Sequence, residues 1–309
     1  AKVDWLSRIG SRFAPFSNWL LGAPGGNLVA HYVLGIHKNR SLPKYVKKSQ
    51  TFPVWFNDHT PSGDGHRGTV MLFHDTFMDY NVPDIGIAAT ELLEKAGFKV
   101  ELTDTVCCGR AMISKGFLGN AMEQARANIP RLYERAREGV YIIGCEPSCL
   151  LTLRDEYLYL ADDPELKEQA EVVARQTMLI DEFFVMLADQ GELELSFNGA
   201  SQGKSVVFHG HCQQKALADP AKSVSLLQMA GYKAEMVNAV CCGMAGTFGY
   251  EKEHYELSKT AGERDLFPSV RAQPDADVVV MGISCRHQVD HFTGRESRHL
   301  AEALRDAAV

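Results

Sequence analysis

The sequence has no run of roughly 18 uninterrupted apolar residues, the length a membrane-spanning helix needs, and its first residues lack the charged, apolar and small-residue succession of a secretory signal. Those absences predict an intracellular protein. It also has no basic run: 32 Lys and Arg stand against 39 Asp and Glu, for a net charge of -7. A surface for nucleic acid needs clustered cations to neutralise phosphates, so nucleic acid is excluded as a partner. There is no GxGxxG fingerprint and no P-loop, so no flavin or nucleotide site is readable in this chain.

What is present in quantity is apolar residue and cysteine. With 309 residues, 45% of them hydrophobic, the chain can bury a substantial core and is long enough for about two domains. Its eight cysteines are Cys107, Cys108, Cys145, Cys149, Cys212, Cys241, Cys242 and Cys285. An even count invites a disulfide framework, but a reducing compartment and a chain of this size argue against one. Adjacent cysteines also pair poorly, because a trans peptide does not give the separation and torsions of a disulfide. Metal ligation is the better use of a Cys-Cys pair.

The chain is internally duplicated. AGFKVELTDTVCCG at 96–109 matches AGYKAEMVNAVCCG at 230–243 without a gap, with eight of fourteen residues identical. GTVMLFHDTF at 68–77 leads the first copy and KSVVFHGHCQ at 204–213 the second. GVYIIGCEPSC at 139–149 and ADVVVMGISC at 276–285 close them. A repeat of this size is a domain unit. Residues 1–66 precede it as an extension rich in aromatic and apolar residues, expected to pack on its own domain or to dock on a partner or membrane surface.

Short runs rich in Val, Ile and Phe alternate with helical stretches at 82–97 and 219–231, which predicts parallel βαβ units and an α/β fold. Residues 164–191 read as one long amphipathic helix, leading to the linker NGASQGKS at 198–205. The expected division is an extension at 1–66, a first repeat at 67–200 and a second at 201–309.

In the second repeat Cys212 follows one predicted strand, Cys241 and Cys242 follow a second segment, and Cys285 follows another strand. Carboxyl ends of parallel strands share one edge, where ligands collect, so thiols distant in sequence converge there. Four thiolates suit zinc or an iron–sulfur cluster; a single Cys, a Cys-Cys pair and a single Cys, without close CxxC pairs, favour wrapping a multi-iron core. Gly243 lets the backbone turn and aims amides at the anionic core. His209, His211, His287 and His291 crowd the same segments as hydrogen-bonding supports or, in HGHC or CRHQ, as a ligand or proton relay, and Arg286 lies beside the thiols as a cation.

The pattern HGHC, CCGMAG, SCRHQ resembles the cysteine-rich CCG domain, which occurs in tandem in heterodisulfide reductases and in the iron–sulfur subunits of glycolate oxidase and anaerobic glycerol-3-phosphate dehydrogenase. HDTFMDY, CCGRAMISKGFL, EPSC and CCGMAGTFGYE look like the C-terminal portion of FAD-linked D-2-hydroxyacid oxidases. The resemblance implies two tandem, pseudo-symmetric parallel-sheet α/β CCG domains with a mostly helical N-terminal extension. It implies a [4Fe–4S] cluster on Cys212, Cys241, Cys242 and Cys285. It further implies FAD and ferredoxin-type clusters on a partner domain or subunit, with a quinone or other membrane acceptor, and a cytoplasmic location, peripheral on the inner membrane.

The chain departs from that family at two places. The full motif has five thiols per repeat, and here Gly282 stands where the first Cys of the closing CxxC belongs, which argues against the five-thiol site of a thiol–disulfide (heterodisulfide-type) reductase. In the first repeat the leading Cys is absent, with Asp75 near its place, and the closing pair is Cys145 and Cys149. Cys107, Cys108 and Cys149, with Asp75 or Cys145, are candidates for a zinc or second cluster, the alternative being a degenerate repeat that is only scaffold, and a zinc-bound docking module is the alternative for the whole chain.

Overall fold

The structure is a computed structural model and describes residues 3–23 and 26–309; residues 1–2 and 24–25 of the expected extension lie outside the described residues. Two four-stranded sheets, parallel throughout, form from the two repeats. The first contains β1 (Thr69–Phe73), β2 (Lys99–Leu102), β3 (Ile142–Gly144) and β4 (Thr177–Leu179), in the order β2-β1-β3-β4. The second contains β5 (Ser205–His209), β6 (Lys233–Met236), β7 (Asp277–Val280) and β8 (Ser297–His299), in the order β6-β5-β7-β8. The central strands TVMLF, SVVFH and DVVV are nearly continuous apolar runs, as strands covered on both faces by helices must be.

The registers make the duplication quantitative. Phe73 pairs with Gly144 as His209 pairs with Val280, so Cys145, Glu146 and Cys149 are equivalent to Met281, Gly282 and Cys285. Thr69 pairs with Lys99 as Ser205 pairs with Lys233, so Asp75 and Thr76 are equivalent to His211 and Cys212.

The long helix expected at 164–191 is instead two helices, Pro164–Gln176 and Ile180–Asp189, with β4 between them. Thr177, Met178 and Leu179 pair with Ile142, Ile143 and Gly144, and that edge of the sheet outweighs three residues of helical periodicity. The second repeat repeats the device with SRH of β8 before helix Leu300–Ala307.

Three apolar clusters hold the molecule together. The largest is shared: Leu72, Leu92 and Phe183 of the first half pack with Phe208, Leu227 and Leu304 of the second. Helix Leu300–Ala307 lies on helix Pro83–Lys95, and helix Ile180–Asp189 on helix Ala221–Met229. Each repeat also has its own cluster, one around Ile129, Leu150 and Tyr157 and one around Phe267, Val278 and Val289. The two repeats therefore share one interior, which fixes their cysteine-bearing edges relative to each other.

The extension is mostly helical, with helices Val3–Arg12, Phe16–Gly22, Gly26–Val33 and Phe52–Asp58. It packs on both halves. Helix Val3–Arg12 lies against helix Thr76–Tyr80, Phe52 is buried in the shared core, and Ile36 bridges to Glu251 in the second repeat. Among the described residues no helix is long and apolar enough to cross a membrane.

Candidate metal centre

The chain leaves β5 at His209, turns at Gly210, and enters helix Cys212–Leu217 with His211 as its N-cap. Cys212 is therefore the first helical residue, and its thiol is exposed. Beyond β6, the loop carrying Cys241 and Cys242 turns back at Gly243, whose φ is +88°. A Cβ at Gly243 would stand 2.1 Å from the Ser258 carbonyl oxygen, so both the left-handed backbone and the close approach require glycine. Cys285 lies in the first turn of helix Ile283–Thr293, just past β7, and is buried. Three loops at one edge thus deliver four reduced thiols, as the strand-end argument expects.

The thiols form a row. Cys212 meets Cys241, Cys241 meets Cys242, and Cys242 meets Cys285. The neighbouring Cys212 and Cys242 thiols pull the Cys241 thiol well below its ordinary value, and the Gly243 N–H donates to the Cys241 sulfur at 3.3 Å. Cys212 and Cys242 are pushed up, first by the neighbouring Cys241 thiol and then by their other surroundings. The Gly243 N–H is thus aimed at the sulfur in the middle of the row. Among the described residues no three Cys, His, Asp or Glu side chains gather about one point as for a single ion. Four cysteine sulfurs at one sheet edge are the donor set of an iron–sulfur cluster and also of a structural zinc.

Lys215, one helical turn after Cys212, lies near all four thiols: burial pulls its ammonium down while the thiols act the other way. It donates to the Ala239 carbonyl, and with Cys212 it lines a 590 Å³ groove walled by Met236, Val237 and Val240. Gln288, one turn after Cys285, donates to the Cys242 carbonyl at 2.8 Å and so clamps the loop. Both are i,i+3 neighbours of a ligand on a helix, a spacing that could have identified them in the sequence.

The histidines divide. His209 is buried beside the site with neither ring nitrogen partnered in the protein, and burial pulls it down to about 3. His211 is committed: its Nδ1 accepts from the Gln213 N–H at 3.1 Å, leaving the proton on Nε2, which faces Glu146 at 4.0 Å. It is a helix cap. A Cβ on Gly282 would lie 2.5 Å from His211 Cδ2, so the imidazole fills the space beside the position of the family's missing thiol. His287 is pulled down to about 4 by burial and sits near Tyr250. Arg286 is paired with Glu302 at 3.0 Å, and Glu302 also caps helix Leu300–Ala307.

In the first repeat Cys107, Cys108 and Cys149 form the corresponding row, with Thr76 where the fourth sulfur would stand. Asn128 holds this loop through Val106 and Cys107, and the Tyr157 hydroxyl donates to the Cys108 carbonyl. Asp75 caps helix Thr76–Tyr80 by accepting from Phe77 and Met78. Burial, followed by the nearby Glu146, pushes its carboxyl up to about 7. Cys145 stands apart from the thiol row, packed between the repeats beside Asp75, Glu146 and His299. There His299 Nε2 donates to the equivalent carbonyls of Cys145 and Met281, each at 3.2 Å.

The profile of the cysteine-rich CCG domain matches this chain twice, over residues 71–154 and 206–290. The chain belongs to that family. It is similar to one of the subunits of anaerobic glycerol-3-phosphate dehydrogenase of Escherichia coli, 28% identical, with 98% of this chain and 75% of the relative covered. It is similar to D-2-hydroxyglutarate dehydrogenase of Escherichia coli, 30% identical, over 76% of this chain but 22% of that much longer protein. Lactate utilization protein A of an Exiguobacterium species is 31% identical over 77% of this chain and 97% of its own length. Family and relatives together assign this CCG protein to the iron–sulfur, electron-transfer components of oxidoreductases.

Proposed function

We propose that the chain is the electron relay of an FAD-linked dehydrogenase, with a [4Fe–4S] cluster held by Cys212, Cys241, Cys242 and Cys285. The observation that carries this is the row of four reduced thiols at one sheet edge, with a backbone amide already favouring thiolate at its centre. A cluster there supplies one-electron exchange, which converts the two-electron chemistry of a flavin into single steps. The protein's part is to hold four sulfurs, donate from Gly243, and place Lys215 beside them. FAD would belong to a partner chain or domain with ferredoxin-type clusters between. The substrate class is a D-2-hydroxyacid or a comparable small hydroxy compound such as glycerol 3-phosphate.

The first repeat, with three thiols in its row, serves as scaffold. The five-thiol centre of a heterodisulfide-type reductase is disfavoured in the second repeat, because the His211 ring lies against Gly282.

The electron acceptor is a quinone or another membrane carrier, reached through the N-terminal helices. These helices and the turn between them expose Trp5, Leu6, Phe13, Phe16, Trp19 and Leu20, with Trp5 and Trp19 58% and 64% exposed. Residues 1–50 contain eight Lys and Arg and one Asp, whereas the whole chain is at -7. Aromatic helices inside a basic segment suit the interface of an anionic bilayer.

Iron, acid-labile sulfide and zinc per chain, measured on protein prepared without oxygen, test the reading. About four irons with matching sulfide are expected for one cubane. Zinc without iron would overturn it.

A further inference from the structure

We propose that Arg40, delivered by the N-terminal extension, is the fixed counter-charge of the second-repeat centre and raises its reduction potential. This rests on the reading that the second repeat carries an iron–sulfur cluster.

Arg40 is 1% exposed, among the most buried large side chains of the protein. Its guanidinium lies over the Tyr250 ring at 5.1 Å and the Phe292 ring at 5.4 Å. Nη2 is 3.3 Å from the sulfur of Met244, while Nε and Nη1 are buried with no hydrogen-bond partner. Among the described residues no carboxylate pairs with it. The titratable groups around it are uncharged near neutral pH. Burial pushes Tyr250 up to about 12, and burial, with Arg40 the next cause, pulls His291 down to about 4. Tyr255 is also pushed up by burial.

A guanidinium is not discharged in a protein, and a buried ion without a partner is strongly disfavoured. Beyond the two aromatic faces, no group among the described residues supplies the negative charge that answers Arg40. Met244, whose sulfur the guanidinium touches, is two residues beyond Cys242 on the same loop. An anionic centre on the thiol row meets the requirement. Adding one electron to that centre adds one negative charge, which a fixed cation in a dry site favours.

The segment is fastened to the site. The His37 N–H donates to the Tyr250 carbonyl at 2.8 Å, and the Lys252 N–H to the Gly35 carbonyl at 2.8 Å. The His37 ring stacks on Tyr255 at 3.9 Å, and Ser41 Oγ is 3.2 Å from His291 Nδ1. A residue outside the duplicated region thus completes the environment of one repeat's centre.

The test is a potentiometric titration followed by EPR on the full chain, prepared without oxygen, for Arg40→Met and Arg40→Lys, with dithionite as reductant and iron and sulfide measured on each. Arg40→Met is expected to keep its iron and to be about tenfold harder to reduce, a midpoint about 59 mV more negative for one electron. Arg40→Lys is expected to restore most of that shift, which a purely packing role would not produce. If Arg40→Met does not fold, Arg40→Gln, which keeps polar packing without charge, gives the same readout. An unmoved midpoint in an iron-replete uncharged variant would overturn the role of Arg40 and leave the cluster intact. A chain without iron in any form would overturn both.

Discussion

Replacing each loop glycine by alanine separates the two repeats by a calculable amount. Gly109 and Gly243 occupy equivalent places after their Cys-Cys pairs, with φ of +86° and +88°. An L-residue in that left-handed region costs about 1–2 kcal/mol at either position. At Gly109 the new methyl would find its nearest atom, Ala121 Cα, at 3.5 Å, which is ordinary contact. At Gly243 it would find the Ser258 carbonyl oxygen at 2.1 Å, a backbone atom of helix Tyr255–Glu263 that cannot swing aside. Relief of such an overlap by shifting backbone costs a further ~1–3 kcal/mol. Gly109→Ala should therefore lose about 1–2 kcal/mol and Gly243→Ala about 2–5 kcal/mol. Urea unfolding of the full chain measures both, with the iron content of each variant followed so that lost metal is not mistaken for lost packing. Equal losses at the two positions would refute the reasoning.

Gly282→Cys, which installs the missing family thiol, should destabilise by about 1–3 kcal/mol through the His211 ring, and His211→Ala in the same chain should recover much of it; additive losses in a double-mutant cycle would contradict this. Asp181 is buried, hydrogen-bonded by Gln214 at 2.8 Å and by Ser223, and burial raises its pKa to about 6. Its folded pKa lies above the unfolded one, so the stability it contributes is fully present below about pH 4 and is lost as pH rises through about 6, on the order of 3 kcal/mol in all. Asp181→Asn should flatten the urea midpoint against pH across that window, and an unchanged slope would count against the burial argument. For the membrane reading, tryptophan fluorescence should shift with anionic but not neutral vesicles, and Trp5→Ser with Trp19→Ser should abolish the sedimentation with vesicles that the parent chain shows.

The duplication and the positions of the thiols are legible in the sequence because adjacent cysteines followed by glycine are a local pattern on a short stretch of chain. The strand-end rule alone then brings Cys212, Cys241, Cys242 and Cys285 to one edge. The edge strands β4 and β8 are not legible. Three-residue strands such as TML and SRH exist only through pairing with a neighbour distant in sequence, and helical periodicity on either side of β4 hides it. The capping roles of His211 and Asp75 are hidden too, since both residue types can ligate metals. What each does, closing a helix N-terminus at equivalent positions, depends on its place after the strand and not on its ligating chemistry. Arg40 has no signal in the sequence, because it lies in the extension, far along the chain from the loop it enters.

The central claim is that the centre sits on the second repeat and not the first. Iron content and the dithionite-reduced EPR signal of Cys242→Ser and Cys108→Ser, two buried cysteines at equivalent positions, test it most directly. The account predicts that Cys242→Ser loses its iron and its signal while Cys108→Ser keeps both. Loss in Cys108→Ser with retention in Cys242→Ser would contradict it.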